Sequence, residues 1–250
     1  MTPQIPEYLV TFETALRPFV VAIGLGLIWM GAVRMEGSAQ SRYGTAGVLS
    51  VVLIAWLAVA QYLGSANAFF ATGDDAVPTV LFGLLIPLMI AAAGVRLSQR
   101  IASLASAIPL PWVVASQVYR VGGGIFLVLW ADGRLPWQFA LPAGIGDVTT
   151  GCFAVIVAAL FEQKSPRALR AAYGWCLFGI ADLVVAVTMG GMTSPGRVHV
   201  LAFDAPNLLI SSYPLVMVPT FAVPLALMLH GLVLWQLRRK IGSTGRLATA

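Results

Sequence analysis

A chain of 250 residues that is 59% hydrophobic and 10% charged lacks the polar surface to cover a water-soluble globule of its size, since soluble domains carry roughly a quarter charged residues. With a mean hydropathy of +0.87, most of it is expected to lie in lipid, with no room for a soluble domain. The net charge of +5 sits in short runs between apolar segments, which excludes the basic face of a nucleic-acid binder.

Residues 1–17 form a leader. Ile5, Leu9, Phe12 and Leu16 fall at helical spacing opposite Glu7, Thr11, Glu13, Thr14 and Arg17, the pattern of a short helix lying in the membrane interface. No small-residue cleavage site follows the first apolar stretch, so a cleaved signal peptide is not expected. A bilayer core needs about 20 apolar residues per helix, and seven runs meet this: 18–33, 46–64, 78–96, 109–131, 136–160, 171–191 and 213–237. Turn residues separate them at Gly73-Asp74-Asp75, Asp132-Gly133, Ser165-Pro166 and Ser194-Pro195-Gly196. The segment Met192–Ser212 is the longest connection and is expected to fold over the outer mouth as a lid. Residues 238–250 make a basic tail. The expected fold is therefore all-α: a single polytopic membrane helix bundle, with 18–237 as seven transmembrane helices.

Cytoplasmic loops retain Lys and Arg. Arg34, Arg42, Arg96, Arg100, Lys164, Arg167, Arg170, Arg238, Arg239, Lys240 and Arg246 all fall on one side. Arg17, Arg134 and Arg197 share the other with Glu7, Glu13, Asp74, Asp75, Asp132 and Asp204. The expected orientation is N-terminus out and C-terminus in, within the plasma (inner) membrane. A retinal Schiff base would need a lysine inside the last helix, and Lys164 and Lys240 both lie outside the apolar runs. Cys152 and Cys176 read as small core residues without metal or disulfide spacing.

Three ionisable residues remain near the centres of apolar runs: Arg120, Asp147 and Asp182. Each lies 11 residues from the start of its run, roughly 16 Å deep in a core about 30 Å thick. An isolated charge there costs at least about 2.5 kcal/mol, so the three are expected to face inward and pair. Helical stripes agree: Ser116, Gln117, Arg120 and Gly124; Gly144, Asp147, Thr150 and Gly151; Gly179, Asp182, Ala186 and Gly190. Two acids in low dielectric do not both ionise readily beside one arginine, so one Asp is expected to hold a proton. Gln117, Tyr119, Thr150 and His230 are candidates to line a polar cavity, with His230 able to join a proton relay. Pro214, Pro219 and Pro224 predict a bent last helix.

Gly144-Ile145-Gly146-Asp147 also resembles, over four residues, the GxGD string of intramembrane aspartyl proteases, whose chemistry needs one aspartate as base and one as acid. In that family the partner aspartate precedes the string, whereas Asp182 follows it. No Tyr-Asp dipeptide occurs, and Pro224-Leu225-Ala226-Leu227 only approximates the family's later Pro-Ala-Leu. No phosphate loop, dinucleotide fingerprint or HExxH motif is present, and the sequence implies neither a metal nor a cofactor.

The leading expectation is a small transporter, channel or proton-coupled carrier using Arg120, Asp147 and Asp182, with the lipid bilayer and a small polar or ionic ligand as partners. The alternatives are an accessory or assembly subunit bound to other membrane subunits, an enzyme acting on lipid or isoprenoid substrates, and a sensor. No nucleic-acid partner is expected, and whether the chain is an enzyme is left open by its motifs.

Overall fold

The computed structural model describes residues 3–70, 73 and 76–247, with side chains as far as Arg239. Asp74, Asp75 and the side chains of Lys240 and Arg246 lie outside the described residues. Among those described, seven helices are long and apolar enough to cross a membrane, as a multi-pass integral membrane protein requires: Glu7–Arg34, Ala39–Ser65, Val80–Leu97, Leu110–Ala131, Trp137–Glu162, Ala168–Thr193 and Val218–Arg239. They are referred to below as the first to seventh spans. Much of the outer surface is apolar, with Val51, Met89, Ile90, Val59 and Val184 all well exposed. Such a surface suits lipid rather than water.

The spans are not equivalent. Half of the fourth and 56% of the seventh are buried, against 6% of the third, so the fourth and seventh form the centre and the third is a peripheral helix. Close approach at the centre follows from small residues: a Cβ on Gly151 of the fifth span would lie 2.7 Å from the backbone nitrogen of Val121 in the fourth.

The structure adds to or departs from the sequence reading in several places. First, the interfacial leader does not form a separate element: one helix runs through residue 17 from Glu7 to Arg34. Its 28 residues span about 42 Å, more than the bilayer core. Its first turns are packed into the bundle, with Leu9 in a cluster with Phe126, Leu129, Phe139, Leu209 and Leu215. Glu13, assigned by spacing to the polar face, is 2% exposed.

Second, the fourth span is a regular α-helix only at its ends. Ser116–Gly124 is a nine-residue 3₁₀ segment, longer than such segments usually run. It ends in Gly122-Gly123-Gly124, which lack side chains to support an α-helix at this point. With three residues per turn, Gln117, Arg120 and Gly123 lie above one another.

Third, the seventh run is not one regular helix. A π-helical turn occupies Val218–Ala222 and the α-helix begins at Val223. Pro224 has no N–H to offer the carbonyl of Thr220 four residues earlier. The indole of Trp56 donates to that carbonyl instead, at 3.2 Å.

Fourth, a short helix, Gln99–Ala107, fills the connection between the third and fourth spans. The Ser98 hydroxyl oxygen accepts from the Ile101 amide, capping it. The helix presses on Gly31 of the first span, where a Cβ would lie 2.8 Å from the Leu104 carbonyl. The Gln236 amide anchors it to the seventh span by donating to the carbonyls of Ala105 and Ile108, each at 2.9 Å.

Cys176 is buried, as its small apolar character predicts, but Cys152 is exposed, because the outside of a membrane bundle is as apolar as its inside. At the opposite face from Gln99–Ala107, the Tyr8 hydroxyl donates to Asp132 at 3.0 Å and Arg134 donates to the Gln4 carbonyl at 3.1 Å. Hydrogen bonds from Arg134 and then Tyr8 hold the Asp132 carboxyl below its ordinary range. A carboxylate depressed in the folded state contributes stability above its unfolded pKa and loses it as pH falls through the folded one. Hydrogen exchange in the first turn of the first span is therefore expected to quicken on acidification, and to be quick already at neutral pH in Asp132→Asn.

Candidate functional site

Arg120, at 3% exposure, sits in the 3₁₀ segment and its guanidinium reaches three other spans. Its Nε donates to Asp147 Oδ1 of the fifth span at 2.7 Å. Its Nη2 donates to Asp182 Oδ2 of the sixth. Its Nη1 donates to the Gly179 carbonyl at 3.3 Å and to His230 Nε2 of the seventh span at 3.1 Å. The three charges singled out from the sequence are thus in direct contact, joined by a histidine.

A guanidinium only donates, so His230 Nε2 must accept. The imidazole is therefore neutral, with its proton on Nδ1. Two carboxylates, one guanidinium and a neutral imidazole leave the group one negative charge in excess. One proton, or the cationic group of a ligand, brings it to neutrality.

The packing that makes this possible is a relay of glycines. A Cβ on Gly123 would lie 2.3 Å from Asp147 Oδ2; one on Gly146 would lie 1.6 Å from Asp182 Oδ1; one on Gly179 would lie 2.5 Å from the His230 ring. Each polar side chain therefore occupies the space left by a glycine on a neighbouring span. The sequence marked Gly179 as a close-packing residue but did not reveal this pairing, which depends on rotation of each helix about its axis. His230 joins the central group from its place near the middle of the seventh span.

The remaining cavity-lining candidates divide. Gln117 Nε2 donates to the Ala226 carbonyl at 3.0 Å, and the Tyr119 hydroxyl to the Ala222 carbonyl at 3.1 Å. Both fasten the 3₁₀ segment to the seventh span. The Thr150 carbonyl accepts from the Trp175 indole at 2.9 Å, and the Trp175 and His230 rings pack 4.8 Å apart. Among the described residues, Gln117 Oε1, Thr150 Oγ1 and His230 Nδ1 are buried without a hydrogen-bond partner.

Two cavities reach the group, and Gln117, Thr150 and His230 line neither of them. One, of about 390 Å³, runs between the third, fifth, sixth and seventh spans, with Asp147 among its lining residues. Its walls are mainly apolar, including Phe69, Leu84, Phe139, Leu183 and Val187, and the connection after the sixth span adds Pro195, Gly196 and Ile210 to its lining. That connection, expected to act as a lid, is tied down. The amides of Val200 and Leu201 donate to the Met192 carbonyl, and the Arg197 amide to the Ala76 carbonyl. The second cavity, of about 30 Å³, lies between the first, fourth, fifth and seventh spans and touches Arg120, Asp147, Tyr119 and Glu13. Among the described residues, no group of three or more His, Cys, Asp and Glu could hold a metal ion.

No curated protein and no solved structure matches the chain. One family model matches residues 77–238, a stretch that takes in the third to seventh spans with Arg120, Asp147, Asp182 and His230 and leaves out the first two. The chain belongs to the family described as Domain of unknown function (DUF8737).

Proposed function

We propose that this protein is a small proton-coupled membrane carrier, inserted with its N-terminus outside and its basic loops in the cytoplasm of the plasma (inner) membrane. The observation that carries this reading is the double membership of Asp147: it is paired with Arg120 and it also faces the 390 Å³ cavity. A cavity of this size suits a small-molecule ligand. Its apolar walls take the body of a solute, and Asp147 takes the solute's cationic group or a proton. Either one satisfies the excess negative charge of the group, so the two compete for one site, which is the basis of exchange. The long 3₁₀ segment that carries Arg120, ended by three glycines, supplies a helix able to change its winding as the charge changes.

A lipophilic monovalent cation such as tetraphenylphosphonium tests the binding half. Calorimetry on the detergent-solubilised protein, in two buffers of different ionisation heat, is expected to show about one proton released per cation bound. Asp147→Asn removes both binding and release. No binding by a well-folded wild type would overturn the proposed solute class. A second reading, an enzyme or binding protein for lipid or isoprenoid molecules, draws on the same apolar walls. A lipid retained stoichiometrically through purification and lost on Leu84→Trp would favour it.

A further inference from the structure

The large cavity is walled mainly by apolar side chains, which give a proton little to move along. A second cavity is lined both by a carboxyl of the first span and by Asp147. Glu13 of the first span is 2% exposed, and its Oε1 has no hydrogen-bond partner among the described residues. Its Oε2 stands 3.9 Å from Arg17 Nε, too far for a hydrogen bond. Arg17 instead donates to the Glu13 carbonyl, to Gln61 and to the Tyr213 hydroxyl. Glu13 lines the 30 Å³ cavity that Asp147 and Arg120 also line, a volume on the scale of one water molecule.

From these placements we infer that Glu13 is a proton-relay carboxyl, passing protons between the N-terminal face and Asp147 through water in the small cavity. The inference rests on the carrier reading and names the route by which its proton arrives. A buried carboxyl with one oxygen unpartnered and only a long contact to Arg17 is costly to hold ionised, which suits a group that carries an exchangeable proton. The groups that face Glu13 are few. Arg17 is on its own helix, Tyr119 and Arg120 come from the fourth span, and Asp147 from the fifth. The rest of the lining, including Leu183 of the sixth span and Val218 and Ala226 of the seventh, carries no titratable side chain. The Tyr119 hydroxyl is committed to the Ala222 carbonyl, which leaves Asp147 as the acceptor.

In the inward step the O–H bond of the Glu13 acid breaks as a bond to the cavity water forms, and that water gives a proton to the Asp147 carboxylate. One proton has moved from Glu13 to Asp147, with no other bond changed and no redox partner required. Arg17, 3.9 Å from the emptied carboxylate, favours its charged form until a proton from the face restores it.

The test uses the full-length protein in proteoliposomes and compares wild type, Glu13→Gln and Glu13→Asp for proton flux under an imposed pH gradient, after matching their melting temperatures. Glu13→Gln is expected to keep tetraphenylphosphonium binding while losing flux by about tenfold or more, and Glu13→Asp to restore part of it. Flux in Glu13→Gln equal to wild type would overturn the relay. Infrared difference spectra over a pH titration give a readout that does not depend on transport. A carboxyl band absent from Glu13→Gln and shifted in Asp147→Asn is expected; a titration identical in wild type and Glu13→Gln would overturn the assignment. Should the wild type carry no protons, the carrier reading fails, and the infrared coupling of Glu13 to Asp147 still decides the relay.

Discussion

Arg120→Met is expected to destabilise the protein by about 3–5 kcal/mol, measured as a loss of melting temperature in detergent. The guanidinium is 3% exposed and meets acceptors on three spans. Removing it leaves two inward carboxylates and a backbone carbonyl without their donor, in a place where water does not replace it. The cost arises from the orphaned partners rather than from the net worth of the ion pairs. The triple variant Arg120→Met, Asp147→Asn, Asp182→Asn is accordingly expected to regain most of the loss, since an uncharged cluster of similar volume avoids desolvating any ion. A triple variant as unstable as the single one would mean that Arg120 acts mainly through the shape of the 3₁₀ segment.

Gly146→Ala is the second large effect. Alanine normally favours a helix over glycine by about 1 kcal/mol, yet here its methyl would lie 1.6 Å from the Asp182 carboxylate. Asp182 is held by Arg120, so it cannot move aside without breaking that contact. Overpacking of this kind costs about 1–3 kcal/mol and would displace Asp182 from the group, so loss of any Asp182-dependent activity should accompany the loss of stability. Gly174, with nothing within 4 Å of its Cβ position, is the control: Gly174→Ala should stabilise by up to about 1 kcal/mol. Equal effects at both positions would show that the glycine relay is not needed to hold the site.

The number of spans and the identity of the central charges were legible in the sequence because both follow from one large quantity, the cost of placing polar groups in hydrocarbon. About 20 apolar residues in a row have few other uses, and Arg120, Asp147 and Asp182 could not each face lipid alone. Helix rotation was not legible. In a soluble helix the polar face marks the outside, whereas here Val51 is exposed to the surroundings and Leu53 is buried, and composition does not distinguish them. The same ambiguity hid the burial of Glu13, the exposure of Cys152 and the matching of Gly123, Gly146 and Gly179 with side chains on neighbouring helices. The 3₁₀ segment and π-turn were hidden for a different reason. Both lie where Gln117 and Tyr119 donate to the Ala226 and Ala222 carbonyls, contacts between the fourth and seventh spans that the pattern of a single helix does not encode.

The most direct test of the central claim is proton movement into sealed proteoliposomes under an imposed pH gradient, with and without tetraphenylphosphonium in the lumen. Wild type, Asp147→Asn and Asp182→Asn should be compared after each is shown to insert and fold equally. The account predicts proton entry above that of empty vesicles in wild type, stimulated by the lumenal cation and absent in Asp147→Asn. Proton movement equal in wild type and Asp147→Asn under both conditions would contradict it, and would leave the Arg120 group as a device for joining helices.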